Sequence, residues 1–317
     1  RHYVTDTTTA SRTLLFNCKN NIWDKELLSV FNVEDIDLPE VKSSSDYFGE
    51  SNFAGIFNKD IMICGVAGDA QASFFANSCF VKGDTKITTG TGFNIQTNIG
   101  KDFLIDSNFF TSLAFTNNNQ NIYALECLSS FAGATISWLK NNLKIINSAD
   151  ESEILSNDVN NSGGVYLIPA FTGLGSPYWI DNARAAFFGI SASTNKKHIV
   201  RASLESVAYQ MVVYLEFLAN TKNIKPQSLA IDGGMVKNIF FTQILADLLE
   251  IEVNIPEIEE MSSYGSLLFG LKKFNKINNF SDLDDFKVQK KSILPNENKV
   301  ITDSYKNWKS IIAKHFM

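Results

Sequence analysis

The chain has 317 residues, a hydrophobic share of 44%, a charged share of 20% and a formal net charge of −6. That length suits two domains or one large one, and the composition is that of a globular protein. Lys and Arg gather into no basic stripe, and no apolar run approaches the roughly 20 residues that cross a bilayer. Both observations argue against nucleic acid as the main partner and against a membrane segment.

The amino terminus, RHYVTDTTTASRT, has no apolar signal core and does not begin with Met, so it reads like the interior of a longer sequence. Its Ser/Thr cluster suits a loop or a helix cap. WDKELLSVF (23–31) has helical spacing at Leu27, Leu28 and Phe31, and a Ser-rich loop follows. IMICGVAGDAQASFF (61–75) reads as a buried strand, a glycine turn and a helix, with Asp69 at the turn. KGDTKITTGTGFNIQT (82–97) alternates in period two, predicting a β-hairpin with TTGTG at its tip. A β-rich stretch over 103–124, broken by a TNNNQN turn, follows. Helical spacing is expected from Glu126 to Ile146.

The polar SADESEILSNDVNNSGG leads to a buried strand at Val165–Pro169, the FTGLGSPYW loop and a strand in ARAAFFGIS. Lys196–Asn220 is the clearest helix, with Val200, Leu204, Val207, Met211, Leu215 and Leu218 at intervals of three and four. A strand at Leu229–Ile231 runs into Asp232-Gly233-Gly234 and a helix. A strand at Glu252–Ile255, a helix at Ser262–Phe274 and a late helix around Trp308 complete the order. Such strand–turn–helix units with intervening hairpins indicate an α/β protein. The domain boundary is expected near Cys79–Lys82, dividing 1–80 from 81–317.

Three glycine-rich features follow strands: GVAGD, TTGTG and IDGG. Each can present backbone N–H groups to phosphate oxygens. Taken singly each is an ordinary turn, and none is a Walker A loop or a G-x-G-x-x-G. Asp69 by itself reads as a cap for the helix it precedes. Cys64 lies among apolar residues with no His near it in sequence, so packing is preferred to nucleophilic chemistry. Glu126, Asp181 and Asp232 are left open between metal or water ligands and structural acids. Cys18, Cys64, Cys79 and Cys127 read as buried free thiols of a reducing, cytoplasmic compartment. His2, His198 and His315 lack the spacing of a zinc site.

Nine segments together resemble the glycerol kinase branch of the FGGY carbohydrate kinases. They are VTDTTTASRTLLFN, GVAGDAQAS, TTGTGFN, FAGATISWL, GVYLIPAFTGLGSPYW, ARAAFFGIS, HIVRASLESVAYQ, IDGGMVKN and SSYGSLLFG, running from near residue 3 to near residue 273. The resemblance implies a ribonuclease-H-like, actin/hexokinase-type ATPase fold with mixed sheets flanked by helices. It implies phosphorylation of glycerol by ATP with Mg²⁺ to give glycerol 3-phosphate. By it Asp69 is the catalytic base and contacts substrate together with Gln71. Thr91, Gly92, Gly133, Ser137, Gly234 and Asn238 are then nucleotide contacts, and Mg²⁺ arrives on the phosphates with no protein-built metal site.

Several positions depart from the pattern. Ala70 stands where a Gln follows the base, Asn94 where an aromatic residue covers the glycerol carbons, and Ser137 where a Gln meets the nucleotide. AGIFNKD replaces the loop that binds a sugar-bisphosphate effector, so no such regulation is expected. The resemblance also places a first phosphate loop and further glycerol contacts before Arg1, so negligible turnover is expected of the chain alone. A complementing amino-terminal half or a second copy are then the partner proteins to consider. The alternatives are a non-catalytic remnant of a split or decaying kinase gene, and a related FGGY polyol or sugar kinase.

Overall fold

The computed structural model describes residues 2–117, 120–277 and 280–317. Two of the Asn residues in the expected TNNNQN turn, Asn118 and Asn119, lie outside that set.

The first part is built from short elements. Strand β1 (Val4–Asp6) leads into helix α1 (Thr7–Ala10), whose N-cap is Asp6. The fully buried Asp6 carboxylate accepts from the Thr8 and Thr9 N–H groups and from the hydroxyls of Thr8 and Ser44. The Ser/Thr cluster is therefore a capped helix start, since a buried carboxylate must have donors on both oxygens. β2 (Phe16–Asn17) and β3 (Ile22–Trp23) form a ribbon, and α2 (Lys25–Val30) follows with Asp24 as its cap. β4 (Glu40–Lys42) pairs with β1 in parallel. β5 (Gly49–Ser51) pairs antiparallel with β6 (Ile61–Ile63), which leads to α3 (Asp69–Ala76).

The remainder centres on one large sheet. β7 (Asp84–Thr89), β8 (Phe93–Gly100), β9 (Phe110–Asn117) and β10 (Gln120–Ser129) are antiparallel neighbours. Next come α4 (Gly133–Asn141), α5 (Asp150–Asn157), the ribbon of β11 (Tyr166–Ile168) with β12 (Ala186–Phe188), and α6 (Lys196–Lys222). β13 (Ser228–Gly233), α7 (Ile239–Leu249), β14 (Val253–Pro256), α8 (Met261–Lys273), β15 (Lys290–Ile293) and α9 (Lys299–His315) follow. The sheet order is β15-β14-β13-β7-β8-β10-β9, with β13 parallel to both β7 and β14. That mixed order is the ribonuclease-H-like core expected from the sequence.

Both faces of the sheet are covered. Along β10, Tyr123, Leu125 and Cys127 enter the main core with α6 and α7. Ile122 and Ala124 enter a second cluster with Phe74, Phe75, Leu268 and Phe269 of α3 and α8. This period-two split corrects the helix expected from Glu126: residues 126–129 are strand, and α4 begins only at Gly133. β6 is not buried, because it pairs only with β5 and leaves Met62 39% exposed. The polar stretch after residue 147 holds a helix, α5, which buries Ser152 and Ser156 along with Leu155 and so shows little apolar periodicity. β15 begins Lys290-Lys291 and was likewise not expected. α6 follows its periodicity and ends two residues beyond Asn220.

The four cysteines are free; Cys79 and Cys127 are buried and Cys18 and Cys64 half-buried. Burial pushes the Cys127 thiol up to about 12 and Cys79 well above the usual thiol range. Ellman's reagent at pH 8 is expected to reach Cys18 and Cys64 slowly, and the other two only in denaturant. Rapid labelling of Cys79 or Cys127 in the native protein would contradict this packing.

Candidate active site

Two concavities lie at the C-terminal ends of β7 and β13. The first, of about 420 Å³, is lined by Thr91, Gly133, Ser137, Gly234 and Asn238 among others. These are distant in sequence, and backbone contacts bring them together. The Gly133 N–H donates to the Gly90 carbonyl at 3.0 Å, and the Ala132 and Ala134 N–H groups donate to the Thr91 carbonyl at 2.9 Å each. The start of α4 is thereby fixed to the tip of the β7–β8 hairpin. A Cβ at Gly133 would stand 2.6 Å from the Gly90 oxygen, so only glycine permits this approach. Gly233 has φ +94°, and a Cβ there would stand 2.0 Å from the Thr89 oxygen. Asn238 caps α7, accepting from the Phe241 N–H at 3.0 Å, while its amide donates to Ser152 Oγ at 3.3 Å.

Gly92 falls elsewhere. It lines a shallower recess on the other side of the tip, and a Cβ would meet the Ser129 oxygen at 2.0 Å. The glycine is required there for close packing of the tip on the end of β10.

The second concavity, of about 310 Å³, is lined by Asp69, Gln71, Arg12, Lys86, Asn94 and Asp232 among others. Asp69 is not the helix cap: Gly68 holds that position, and Asp69 is the first residue of α3. Its Oδ1 accepts from the Ala70 N–H at 2.7 Å, and the side chain stands open to the cavity. The turn before it is tied down because the Gly68 N–H donates to Thr8 Oγ1 at 2.8 Å, and that hydroxyl donates to Asp6. Farther along, α3 crosses α8 so closely that a Cβ on Gly265 would meet the Ala72 oxygen at 1.9 Å.

Gln71 is 2% exposed and donates to Glu126 at 3.3 Å. Glu126 also accepts from Gln96, Ser112 and Arg12, the last an ion pair at 2.6 Å. The fully buried Glu126 is thus a structural acid with its oxygens satisfied, which closes the alternatives left for it. Asp181 is exposed and lines neither cavity. Cys64 packs beside Gly270, and burial pushes its thiol up. Asp232 pairs with Lys86 at 3.2 Å and accepts from Ser73 Oγ at 2.9 Å. Lys86, Ser73 and Arg12 were missed as site residues; the signal available was a lysine inside an otherwise buried strand pattern.

The architecture, a mixed sheet between helical layers with glycine turns facing one cleft, is that of the actin/hexokinase-like kinases. The profile of the FGGY family of carbohydrate kinases, C-terminal domain, matches residues 85–273, and that of the family's N-terminal domain matches residues 1–76. The chain belongs to the FGGY family of carbohydrate kinases. It is 42% identical over 265 residues to a glycerol kinase of Staphylococcus epidermidis, covering 83% of this chain and 53% of that protein. It is 37% identical over 314 residues to a glycerol kinase of Vibrio parahaemolyticus, covering 98% and 62%. Among solved structures, Plasmodium falciparum glycerol kinase with ADP superposes with a TM-score of 0.91 at 28% identity, over 99% of this chain and 63% of that one. A xylulose kinase from Lactobacillus acidophilus gives a TM-score of 0.86 at 20% identity over 99% and 64%, a likeness of fold. The chain thus spans between half and two thirds of the length of these relatives.

Proposed function

We propose that the protein carrying this chain transfers the γ-phosphate of ATP to glycerol, with Asp69 as the base. The observation that supports this best is the junction of the two concavities. Gly234 lines the first and its neighbour Gly233 the second, while Thr88 and Gly90 of one hairpin tip line the second and first respectively. A nucleotide seated in the first cavity would run its phosphates past this tip toward Asp69. Asp69 then takes the proton as a glycerol oxygen attacks the γ-phosphorus, the bond to the ADP oxygen breaks, and glycerol 3-phosphate and ADP leave.

Mg²⁺ fits the residues present. Among the described residues no cluster of three metal-ligating side chains occurs, yet Asp69 and Asp232 face one cavity and Asp232 Oδ1 is buried without a partner. Mg²⁺ held by phosphates, water and one or two carboxylates suits that arrangement. When bound it would neutralise phosphate charge. Asp69, Thr91, Gly133, Ser137, Gly234 and Asn238 keep the roles given by the resemblance in this proposal, whereas Gly92 acts through the shape of the tip and Gln71, its amide committed to Glu126, through the lining of the Asp69 cavity. The division at residue 80 and a cytoplasmic location, the latter suggested by the four free cysteines, belong to the same reading.

A related polyol or sugar substrate is the second reading. Asn94 lines the Asp69 cavity with a buried, unpartnered Oδ1, which would suit an additional substrate hydroxyl.

Calorimetric titration with ADP tests the nucleotide site. Saturable binding at one site is expected. Gly133→Val should weaken it at least roughly tenfold, because a branched side chain must part α4 from the hairpin tip. Absence of ADP binding, or unchanged affinity in Gly133→Val, would count against the nucleotide assignment.

A further inference from the structure

Of the buried ion pair beneath Asp69, only the Asp232 carboxylate has entered so far, as a group facing the proposed Mg²⁺; Lys86 has no part in the reaction as described. Lys86 on β7 is 1% exposed and Asp232 on β13 is 8% exposed. The strands are parallel neighbours with Thr88 opposite Asp232, so Lys86, Thr88 and Asp232 project from the same face of the sheet. Lys86 Nζ donates to Thr88 Oγ1 and lies 3.2 Å from Asp232 Oδ2. Asp232 Oδ2 also accepts from Ser73 Oγ at 2.9 Å, one helical turn beyond Asp69.

Two features of the pair are unspent. An ammonium has three N–H donors, and Thr88 and Asp232 take two of them. Asp232 Oδ1 is buried without a hydrogen-bond partner. Leaving a carboxylate oxygen bare in the interior is costly unless a ligand completes it. Both residues line the cavity that holds Asp69. Burial pushes the Lys86 ammonium below the usual lysine range, and the Asp232 carboxylate opposes that shift.

The charges lining the cavity define what fits. Arg12 and Lys86 face the carboxylates of Asp69, Asp232, Glu259 and Glu260. With acids in excess, a bare phosphate is disfavoured, whereas a phosphate carrying a divalent cation matches both signs. The cavity adjoins the tip formed by Thr88–Gly90 and the Gly233 turn, at the end of the proposed nucleotide path.

We propose that Lys86 and Asp232 act as one unit that reads the terminal phosphate of the nucleotide together with its hydrated divalent cation. Lys86 donates its remaining N–H to a γ-phosphate oxygen, and Asp232 Oδ1 accepts from a cation-bound water. Ser73 links this unit to α3, so filling it also steadies the helix that carries Asp69. The inference rests on the ATP reading above and adds a recognition site for the γ-phosphate to it.

The test compares the affinity of the full chain for Mg·ADP and for Mg·AMP-PNP, a non-hydrolysable triphosphate, by calorimetry. The native chain is expected to bind the triphosphate roughly tenfold more tightly, the contribution of one charge-assisted hydrogen bond. Lys86→Met/Asp232→Asn removes both charges and so leaves neither one buried alone. Its preference for Mg-bound triphosphate over Mg·ADP should fall to about one, while ADP titrated without Mg²⁺, which engages neither residue, should bind within about twofold of native. Lys86→Arg, which keeps the charge, should retain part of the preference. If the double variant keeps the native preference, or the native chain binds ADP and shows no preference, the inference is overturned and the nucleotide reading stands. If the native chain binds neither nucleotide, both fall together.

Discussion

Asp69→Asn is expected to lower kcat for glycerol phosphorylation by about 10³-fold while leaving ADP affinity within about twofold. Asparagine preserves the size of the side chain and its acceptor oxygen for the Ala70 N–H, so α3 should begin as before. What it removes is the ability to take a proton. Phosphoryl transfer asks a protein mainly for positioning and charge stabilisation, and the proton acceptor is the part this substitution isolates. Binding should persist because the proposed nucleotide cavity is lined by residues of other elements, the β7–β8 tip, α4 and the Gly234 turn. Steady-state kinetics on the protein carrying this chain, paired with ADP titration, separates the two effects. A loss of less than about tenfold would remove Asp69 from the role of base.

Gly265→Ala is expected to destabilise the fold by about 3 kcal/mol and to reduce kcat at least roughly tenfold. The new Cβ would lie 1.9 Å from the Ala72 carbonyl oxygen, 2.4 Å from its carbon and 2.9 Å from its Cα. Those are backbone atoms of α3, so no side chain can swing aside to make room. The helices must separate, parting the stacked Phe75 and Phe269 rings now 4.3 Å apart. Asp69 begins the displaced helix, and a shift of roughly 1 Å is enough to misalign a base. Thermal unfolding checks the first effect and kinetics the second. A native melting temperature would show that α3 and α8 do not depend on this contact.

What was legible in the sequence follows from the range of each signal. The β7–β8 hairpin, the Gly233–Gly234 turn and α6 rest on local alternation, glycine and helical periodicity, and each was placed from these. The helical frame assigned to Glu126–Ser129 failed because β10 divides its side chains between two cores, which local periodicity cannot reveal. α5 went unseen because it buries serines, and β15 because it begins with two lysines. Asp69 is named as a base only through the resemblance, since alone it reads as a cap. The Lys86–Asp232–Ser73 set joins three elements remote in sequence, so nothing local announced it. Gln71 entered as a substrate contact, yet its side chain is engaged by Glu126, a residue that sequence spacing could not assign.

In the proposed function, Asp69 and the nucleotide cavity form the two ends of one site acting on glycerol. The most direct test of this reading is ADP release from ATP by the protein carrying this chain, measured with glycerol, xylulose and gluconate in turn. Release should be stimulated most by glycerol, with glycerol 3-phosphate as the product and the stimulation lost in Asp69→Asn. Bound ADP without glycerol-dependent release would indicate a non-catalytic nucleotide-binding protein, and preferential stimulation by xylulose or gluconate a sugar kinase; either result would contradict it.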